Sequence, residues 1–292
     1  MRYTLRQLEV FLSVARGESV SRAAKELAMS QSAVSSSLSE LEAQLEVPLF
    51  DRVGKKLRLS ETGRSLRART EGLLEQAKDL DDAFAASDVS SLRLGATLTV
   101  GNHLVPPLIA KFLREAATSR VTLDIANTEE IARRVENFEL DVGLIEGELS
   151  RDELAVTPWR TDELVVFCSP HHPLARKRTL SDAELCSAPW VLRERGSGTR
   201  QAFERALSGL LPELTVVLEL TQTEAIKSAV AAGLGLGCLS RIALAESFAL
   251  RTLVPLGVRS RSLQRQLFLV LHRKKFVGAG LRRFLTLCKE VS

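Results

Sequence analysis

The chain has 292 residues, a formal net charge of +4 and an apolar fraction of 45%, so it is long enough for two or three packed cores. No apolar run reaches the roughly 18 residues of a membrane-spanning helix, and Arg2, Arg6 and Glu9 interrupt the first turns. We therefore expect no bilayer span, no secretory signal and a cytoplasmic location. The four cysteines are scattered and form no CxxC pair. We interpret them as reduced, mostly buried residues, with no metal site.

Three short amphipathic helices are predicted in the first 47 residues. Apolar residues recur at helical spacing over 5–15, and small alanines line one side of 20–28. Ser30 is a suitable N-cap for a third helix over 30–47. Because only a tight turn fits at residues 29–30, the second and third helices are predicted to form a helix-turn-helix.

The third helix presents two different faces. One is an apolar stripe, and the other carries a glutamine and short hydroxyls: Gln31, Ser32, Ser35, Ser36 and Ser39. Short side chains allow a helix to lie deep in a DNA major groove, and Gln can bond a base edge. The alternative is an ordinary solvated face, and this helix alone does not distinguish the two.

A basic hairpin is predicted directly after the third helix. Two strand-like runs over 49–59 are joined through Gly54, and residues 1–70 hold 12 basic against 8 acidic side chains. We interpret the hairpin as a wing beside the reading helix. The predicted DNA-binding residues are Ser30, Gln31, Ser32, Ser35, Ser36, Arg52, Lys55 and Lys56. The winged helix-turn-helix domain is assigned to residues 1–59.

A long linker helix is predicted over residues 60–87, followed by a polar hinge at 88–91. Leucines recur every seven residues at Leu59, Leu66, Leu73 and Leu80, and Thr70, Ala77 and Phe84 fill the intermediate positions of the seam. This is the period of a coiled coil, which predicts a dimerisation helix that pairs two subunits. The alternative is a single helix packed on its own domain.

Beyond the hinge, strands and helices alternate. Strands are predicted at 92–96, 121–126, 141–145, 164–169, 190–193, 215–220, 235–239 and 266–272, and helices at 104–117, 128–138, from 199, at 223–232 and at 280–290. The alternation predicts a parallel sheet with ligands at the carboxyl ends of its strands. Chain crossings near Arg160 and Gln264 would divide this α/β region into one subdomain at 92–161 plus 267–292 and a second at 162–266, with a cleft between them.

Several polar segments would meet in that cleft. Gly196, Ser197, Gly198 and Thr199 precede a helix, where glycine amides, hydroxyls and the helix dipole can hold a small anion. Such a loop is also an ordinary N-cap, and the sequence leaves that alternative open. The predicted effector residues are Thr97, Leu98, Thr99, Glu146, Gly196, Ser197, Gly198, Thr199 and Thr223. Glu146 could accept a proton from a protonated oxyanion or pair with an arginine at the rim.

One further stretch is unusual in charge. Residues 247–289 hold ten basic and no acidic side chains. We interpret the stretch as a solvated face or as a source of positive field around an anion site or DNA.

These motifs resemble a known family. The segments LRQLEVFLSVA, SRAAKELAMSQSAVSSSLSELE and PLFDRVGKKLRLSETG, within 5–63, are similar to the winged helix-turn-helix of LysR-type transcriptional regulators, and the resemblance covers the whole chain. The chain departs from the family pattern where many members have Pro at Ser32 and Arg at Ser36. The missing arginine removes one expected DNA contact, which leaves Gln31, Ser35 and Arg52 as the main residues carried over.

The resemblance implies an α+β multidomain fold with two Rossmann-like effector subdomains, as in periplasmic binding proteins. It also implies double-stranded promoter DNA as a partner, a homodimer through the linker helix, homotetramers as in many members, and RNA polymerase as a further candidate partner. In the stretches GATLTVGNHLVPPL, ERGSGTR and TEAIKSAVAAGLGLG, the chain is similar to the sulfur-linked YeiE/FinR-like and CysB-like branches, as well as to carbon-fixation-linked members.

The implied effector is sulfite, acting on sulfur-metabolism genes, and the short hydroxyl set favours a small anion. An organic acid or a phosphorylated metabolite is the alternative effector. An enzyme with an accessory DNA-binding domain is disfavoured, because no catalytic residues, resident cofactor or general base is identifiable. A solute-binding protein is disfavoured by the winged helix.

Overall fold

The computed structural model describes residues 2–53, 56–84, 91–259 and 261–290. Its helices are α1 Leu5–Gly17, α2 Val20–Glu26, α3 Gln31–Leu45, α4 Glu61–Phe84, α5 Val105–Glu115, α6 Thr128–Glu136, α7 Asp182–Ser187, α8 Gly198–Ala206, α9 Thr223–Ala231, α10 Arg241–Ala249 and α11 Ala279–Glu290. Its strands are β1 Phe50–Val53, β2 Lys56–Leu59, β3 Ser91–Ala96, β4 Arg120–Ile125, β5 Val142–Glu146, β6 Leu154–Cys168, β7 Thr179–Leu180, β8 Pro189–Arg193, β9 Thr215–Leu220, β10 Leu236–Ser240, β11 Val254–Val258 and β12 Gln264–His272. Among the described helices, none is long and apolar enough to cross a bilayer.

Helices α1 to α3 form the predicted helix-turn-helix core. The stripe on α3 is buried at Val34, Leu38 and Leu41, and it packs with the inner faces of α1 and α2. Leu5, expected on the inner face of α1, is instead 47% exposed, because it is the first residue of the helix and precedes the buried stretch. The turn before α3 places Ala28 at φ 52°, in the left-handed region that favours glycine.

The wing is the antiparallel pair β1 and β2, with Phe50 opposite Leu59 and Val53 opposite Lys56. Phe50 closes the helical core through an edge contact with Phe11, with ring centroids 5.8 Å apart. The predicted hairpin is therefore confirmed. Its tip at residues 54–55 lies outside the described residues.

Helix α4 extends the chain away from the wing. Ser60 caps it by accepting a hydrogen bond from the Gly63 N–H at 2.9 Å. Of the heptad leucines, Leu59 and Leu66 pack on the helix-turn-helix core, whereas Leu73 and Leu80 are 40% and 58% exposed. The exposed pair is the part of the heptad that is open to a second chain. The predicted helix end at residue 87 and most of the hinge at 88–91 lie outside the described residues.

A ten-stranded mixed sheet is the framework of the remaining described chain, in the order β4-β3-β5-β12-β6-β10-β8-β9, with β11 paired to β6 and β7 paired to β11. The expectation of a parallel sheet is correct for β4-β3-β5 and β10-β8-β9 but wrong for the centre, where β12 and β6 run antiparallel to their neighbours. The reason is that β6 is one strand of 15 residues rather than a strand beginning at 164. It pairs with β12 over its first part and with β10 and β11 over its last. The chain therefore passes between the two subdomains on β6 and β12.

Helices cover both faces of each subdomain. In the first, α5 and α11 pack on one face through Phe112 and Phe284, and α6 packs on the other. In the second, α7 and α8 cover one face and α9 and α10 the other. Helices α7 and α10 and strands β7 and β11 were not predicted. Three of the four cysteines are buried and none is disulfide-bonded.

A network of ion pairs joins the DNA-binding unit to the first effector subdomain. Glu71 of α4 lies 2.7 Å from Arg16 of α1 and 3.5 Å from Arg93 of β3. Asp141, at the start of β5, accepts from Arg93 at 2.7 Å and from Lys275 at 3.0 Å. Lys275 also pairs with Glu75 of α4. We call this set of six side chains, listed here, the interdomain network: Arg16, Glu71, Glu75, Arg93, Asp141 and Lys275.

Candidate functional site

The predicted effector residues meet at one edge of the central sheet. The segment 97–99 follows β3, Glu146 ends β5, and the N-terminus of α8 approaches from the second subdomain. Because β12 is antiparallel to β5, its first residues lie at the same edge. The elements on both sides of the cleft therefore converge on the Glu146 carboxylate.

Glu146 is the centre of the cluster. Its side chain is 1% exposed. Oε1 accepts from the Thr99 N–H at 2.7 Å and from the Val100 N–H at 3.3 Å, where a single π-helical turn begins. Oε2 accepts from the Thr199 hydroxyl at 2.8 Å and from Arg265 at 2.9 Å. The carboxylate thus occupies the point at which hydrogen-bond donors of both subdomains converge.

Arg265 is the residue of this site that sequence reasoning missed. It is 1% exposed and lies 2.7 Å from Asp162 of β6. It also donates to Thr199 Oγ1 at 3.0 Å and to Thr99 Oγ1 at 3.4 Å. The signal was present in the acid-free stretch 247–289, one of whose two interpretations was a positive field around an anion site. Of the two roles considered for Glu146, the partner is an arginine, but it lies at the buried centre rather than at the rim.

The environment keeps Glu146 ionised. Burial opposes the charged form, but the Arg265 guanidinium and the hydrogen bonds from Thr99 and Thr199 outweigh it and lower the pKa of Glu146 to about 2. The pKa of Arg265 is raised despite burial, because Glu146 and Asp162 stabilise its charge. Both groups therefore carry full charge throughout the physiological range.

The other predicted effector residues have different surroundings. The Thr97 hydroxyl accepts from the Glu146 N–H at 3.1 Å, and Ser197 Oγ caps α8 by accepting from the Arg200 N–H at 3.5 Å. Both hydroxyls therefore serve backbone amides, which is the usual role of Ser and Thr at helix starts. Leu98 is buried, and Gly196 adopts φ +86° in the turn before α8. Thr223, buried at the start of α9, makes no hydrogen bond with this cluster among the described residues.

The cleft is closed at this point. A Cβ on Gly198 would lie 1.8 Å from the Glu146 carbonyl oxygen, so only glycine permits this approach. Gly198 and Thr199 are both buried, yet neither of their backbone N–H groups has an acceptor within the described part of the chain. The start of α8 therefore holds two unused donors beside a saturated carboxylate.

The predicted DNA face lies on the exposed side of α3. Ser30 caps the helix by accepting from the Ala33 N–H at 3.1 Å, and its hydroxyl lies 2.9 Å from that of Ser32. Gln31 accepts from Ser21 of α2 at 3.1 Å, and Ser36 donates to Glu40 at 3.2 Å. The remaining predicted contacts are placed as follows: Ser35 is exposed on α3, Arg52 lies on β1, Lys56 lies on β2, and Lys55 lies outside the described residues.

Two family descriptions together match most of the chain. Residues 5–64 match "Bacterial regulatory helix-turn-helix protein, lysR family", and residues 85–292 match "LysR substrate binding domain". The chain belongs to the LysR family of transcriptional regulators. It is 43% identical over 288 residues to the Escherichia coli K12 protein named "Uncharacterized HTH-type transcriptional regulator YeiE", covering 99% of this chain and 98% of the relative. Membership of this family excludes the enzyme alternative.

Other relatives agree with the assignment. The Bacillus subtilis regulator CysL is 32% identical over 265 residues, covering 89% of this chain and 88% of CysL. Full-length OxyR from Pseudomonas aeruginosa, solved as a single-residue variant, has the same fold, with a TM-score of 0.75 at 22% identity, over 99% of this chain and 94% of OxyR. The predicted branches and the two-subdomain effector fold are confirmed. LysR-family regulators bind promoter DNA and small-molecule effectors and form oligomers.

Proposed function

We propose that this LysR-family regulator senses a small oxyanion in the cleft between its effector subdomains, with sulfite as the first candidate, and controls sulfur-metabolism genes. The observation that carries the proposal is the convergence of donors on one buried point: the amides of 99 and 100, the Thr199 hydroxyl and the Arg265 guanidinium. Two further N–H groups at the start of α8 have no acceptor in the described chain. Such convergent donors at helix starts bind anions.

The size of the site supports a compact effector. The Gly198 backbone touches the Glu146 carbonyl across the cleft, so a ligand must separate the subdomains before it reaches the donors. A small oxyanion requires the least separation. The similarity to the YeiE-like branch makes sulfite the first anion to test, and an organic acid or a phosphorylated metabolite is the alternative.

We further propose that the protein works in the cytoplasm as a homodimer through α4, and as a homotetramer on promoter DNA. The exposed Leu73 and Leu80 supply the pairing stripe on α4. Paired α3 helices can then read two half-sites of one operator. RNA polymerase is the partner through which bound regulator would act on transcription.

The test is calorimetric titration of the full chain with sulfite, sulfate, thiosulfate and phosphate. We expect sulfite to bind, and we expect Thr97→Ala combined with Thr199→Ala to abolish binding. Thr215→Ala is the matched control, because Thr215 is exposed on β9 and far from the cluster in the sheet order. Unchanged sulfite binding by the double variant would remove the site assignment, and binding by none of the four anions would remove the anion proposal.

A further inference from the structure

We infer that Glu146 makes the site selective for an oxyanion that still carries a proton. The inference rests on the proposed anion-sensing function and specifies which chemical form of the anion the cleft accepts. It follows from the position of Glu146 among the donors, from the charge of its surroundings and from the hydrogen bonds that a ligand would have to replace.

The first argument is charge. Glu146 and Asp162 contribute two negative charges against the single positive charge of Arg265, and all three are almost fully buried. The positive charge of Arg193 on β8 also favours the ionised form of Glu146, but that charge is already paired with Glu194 at 2.7 Å. The cluster is therefore negative before any ligand arrives, although helix starts point into it. A fully ionised dianion would meet net repulsion, and a monoanion with a remaining proton would meet less.

The second argument is hydrogen-bond capacity. An ionised carboxylate is only an acceptor. Sulfate, thiosulfate and fully ionised sulfite also present only acceptors, so their oxygens would face the oxygens of Glu146 with no proton between them. Hydrogen sulfite and hydrogen phosphate can donate an O–H to Glu146, as a strong charge-assisted hydrogen bond.

A protonated oxyanion can enter without leaving any hydrogen bond of Glu146 or Thr199 unreplaced. Glu146 Oε2 accepts from the Thr199 hydroxyl at 2.8 Å in the closed cleft. When a protonated oxyanion enters, its O–H takes the place of that hydroxyl. The freed Thr199 hydroxyl then donates to a ligand oxygen, together with the unused N–H groups of Thr199 and Gly198. No proton is transferred and no donor of the site is left without an acceptor.

No histidine is among the described groups that face Glu146. The groups that face Glu146 are the Thr99 and Val100 amides, Thr199, Arg265 with Asp162 behind it, and the paired Arg193. Glu146 itself has a pKa of about 2 and stays ionised. The pH dependence of binding between pH 6 and 8.5 is therefore expected to come from the ligand.

The test uses the full chain and needs no variant for its first part. Sulfite Kd is measured by calorimetry from pH 6 to 8.5, where hydrogen sulfite loses its proton, with sulfate, which carries none in this range, in parallel. We expect sulfite affinity to fall as the protonated fraction falls, approaching roughly tenfold per pH unit at the upper end. Sulfate should bind roughly 10- to 100-fold more weakly than sulfite at pH 6, because it leaves buried acceptors facing each other.

The second part uses Glu146→Gln, whose amide can donate to an acceptor-only anion. We expect this variant to bind sulfate and ionised sulfite and to lose most of the pH dependence. Glu290→Gln is the control, because Glu290 is exposed on α11 and pairs with Lys111 of the same subdomain, and it should keep the wild-type profile. A sulfite affinity that does not change with pH, or sulfate binding as tight as that of sulfite, would overturn the inference and leave the proposed function intact. Absence of binding by sulfite, sulfate, thiosulfate and phosphate at every pH would instead remove the proposed function.

Discussion

Removing Arg265 should destabilise the effector domain strongly. Its guanidinium is the cation shared by the buried carboxylates of Glu146 and Asp162, at 2.9 and 2.7 Å. Arg265→Met keeps much of the aliphatic volume and removes the charge. Two buried carboxylates then remain without a cation between them. The free energy of unfolding should fall by more than the lost attraction, because neither carboxylate can recover its hydration.

The expected loss is about 3–5 kcal/mol in the free energy of unfolding, as is typical when one partner of a buried pair is removed. Arg241→Met provides a matched control. Arg241 pairs with Glu163 at 2.6 Å, but both side chains are about half exposed. Such a pair contributes less than about 1 kcal/mol, because water and salt screen it.

The assay is urea unfolding followed by tryptophan fluorescence. Both tryptophans of the chain, Trp159 and Trp190, are buried in the effector domain. Their signal therefore follows that domain and not the helix-turn-helix. A shift for Arg265→Met no larger than that for Arg241→Met would refute the reasoning.

The difference in unfolding free energy between the wild type and Arg265→Met should also depend on pH. In the wild type the pKa of Glu146 is lowered to about 2 from an ordinary value near 4.5. Its contribution to stability is therefore complete above about pH 4.5 and is lost as the pH falls toward 2. Without Arg265 the buried carboxyl should bind a proton more readily. The gap between wild type and variant should then narrow between pH 7 and pH 3.

Four other changes test separate parts of the structure. Ala28→Gly should stabilise the helix-turn-helix by about 1 kcal/mol, measured by circular dichroism during urea unfolding, because Ala28 has φ 52°. Gly198→Ala should destabilise the effector domain by about 1–3 kcal/mol in urea unfolding, because its Cβ would press on the Glu146 carbonyl. Leu73→Asp should shift sedimentation velocity toward monomer, because the exposed leucine lies on the heptad seam. Gln31→Ala should reduce discrimination at one operator base pair by about 1–3 kcal/mol, measured by titrating operator variants.

Features with a local origin were predictable from the sequence. The α3 stripe follows from helical periodicity, and the strand over 215–220 matches β9 at both ends. The Ser30 and Ser60 caps follow from the preference of serine for helix starts. These elements depend on neighbours within a few residues, which is the range over which a sequence pattern carries information.

The candidate site was predictable only in outline. The segments that approach the cleft were identified, but Arg265 was not, because it is 119 residues from Glu146 along the chain. Its role depends on β12 being antiparallel to β5, and that arrangement follows from the full length of β6. The Thr97 and Ser197 hydroxyls were predicted to bind the ligand, and each also accepts a hydrogen bond from a backbone amide that the sequence pattern did not reveal. A residue type identifies what a side chain can bond, and tertiary structure decides which partner it meets.

Three neighbouring strands, β3, β5 and β12, connect the hydrogen-bonded cluster around Glu146 to the interdomain network. The segment beginning at Thr97 and the strand end at Glu146 lie at the cleft, while Arg93 on β3 and Asp141 directly before β5 belong to the network. Strand β12 likewise starts beside Arg265 and leads to Lys275. If the proposed anion binding weakens this network, thermodynamic linkage requires that breaking the network strengthens anion binding by the same factor. Under that proposal, a substitution in the network, far from the cleft, is expected to change the Kd for the anion.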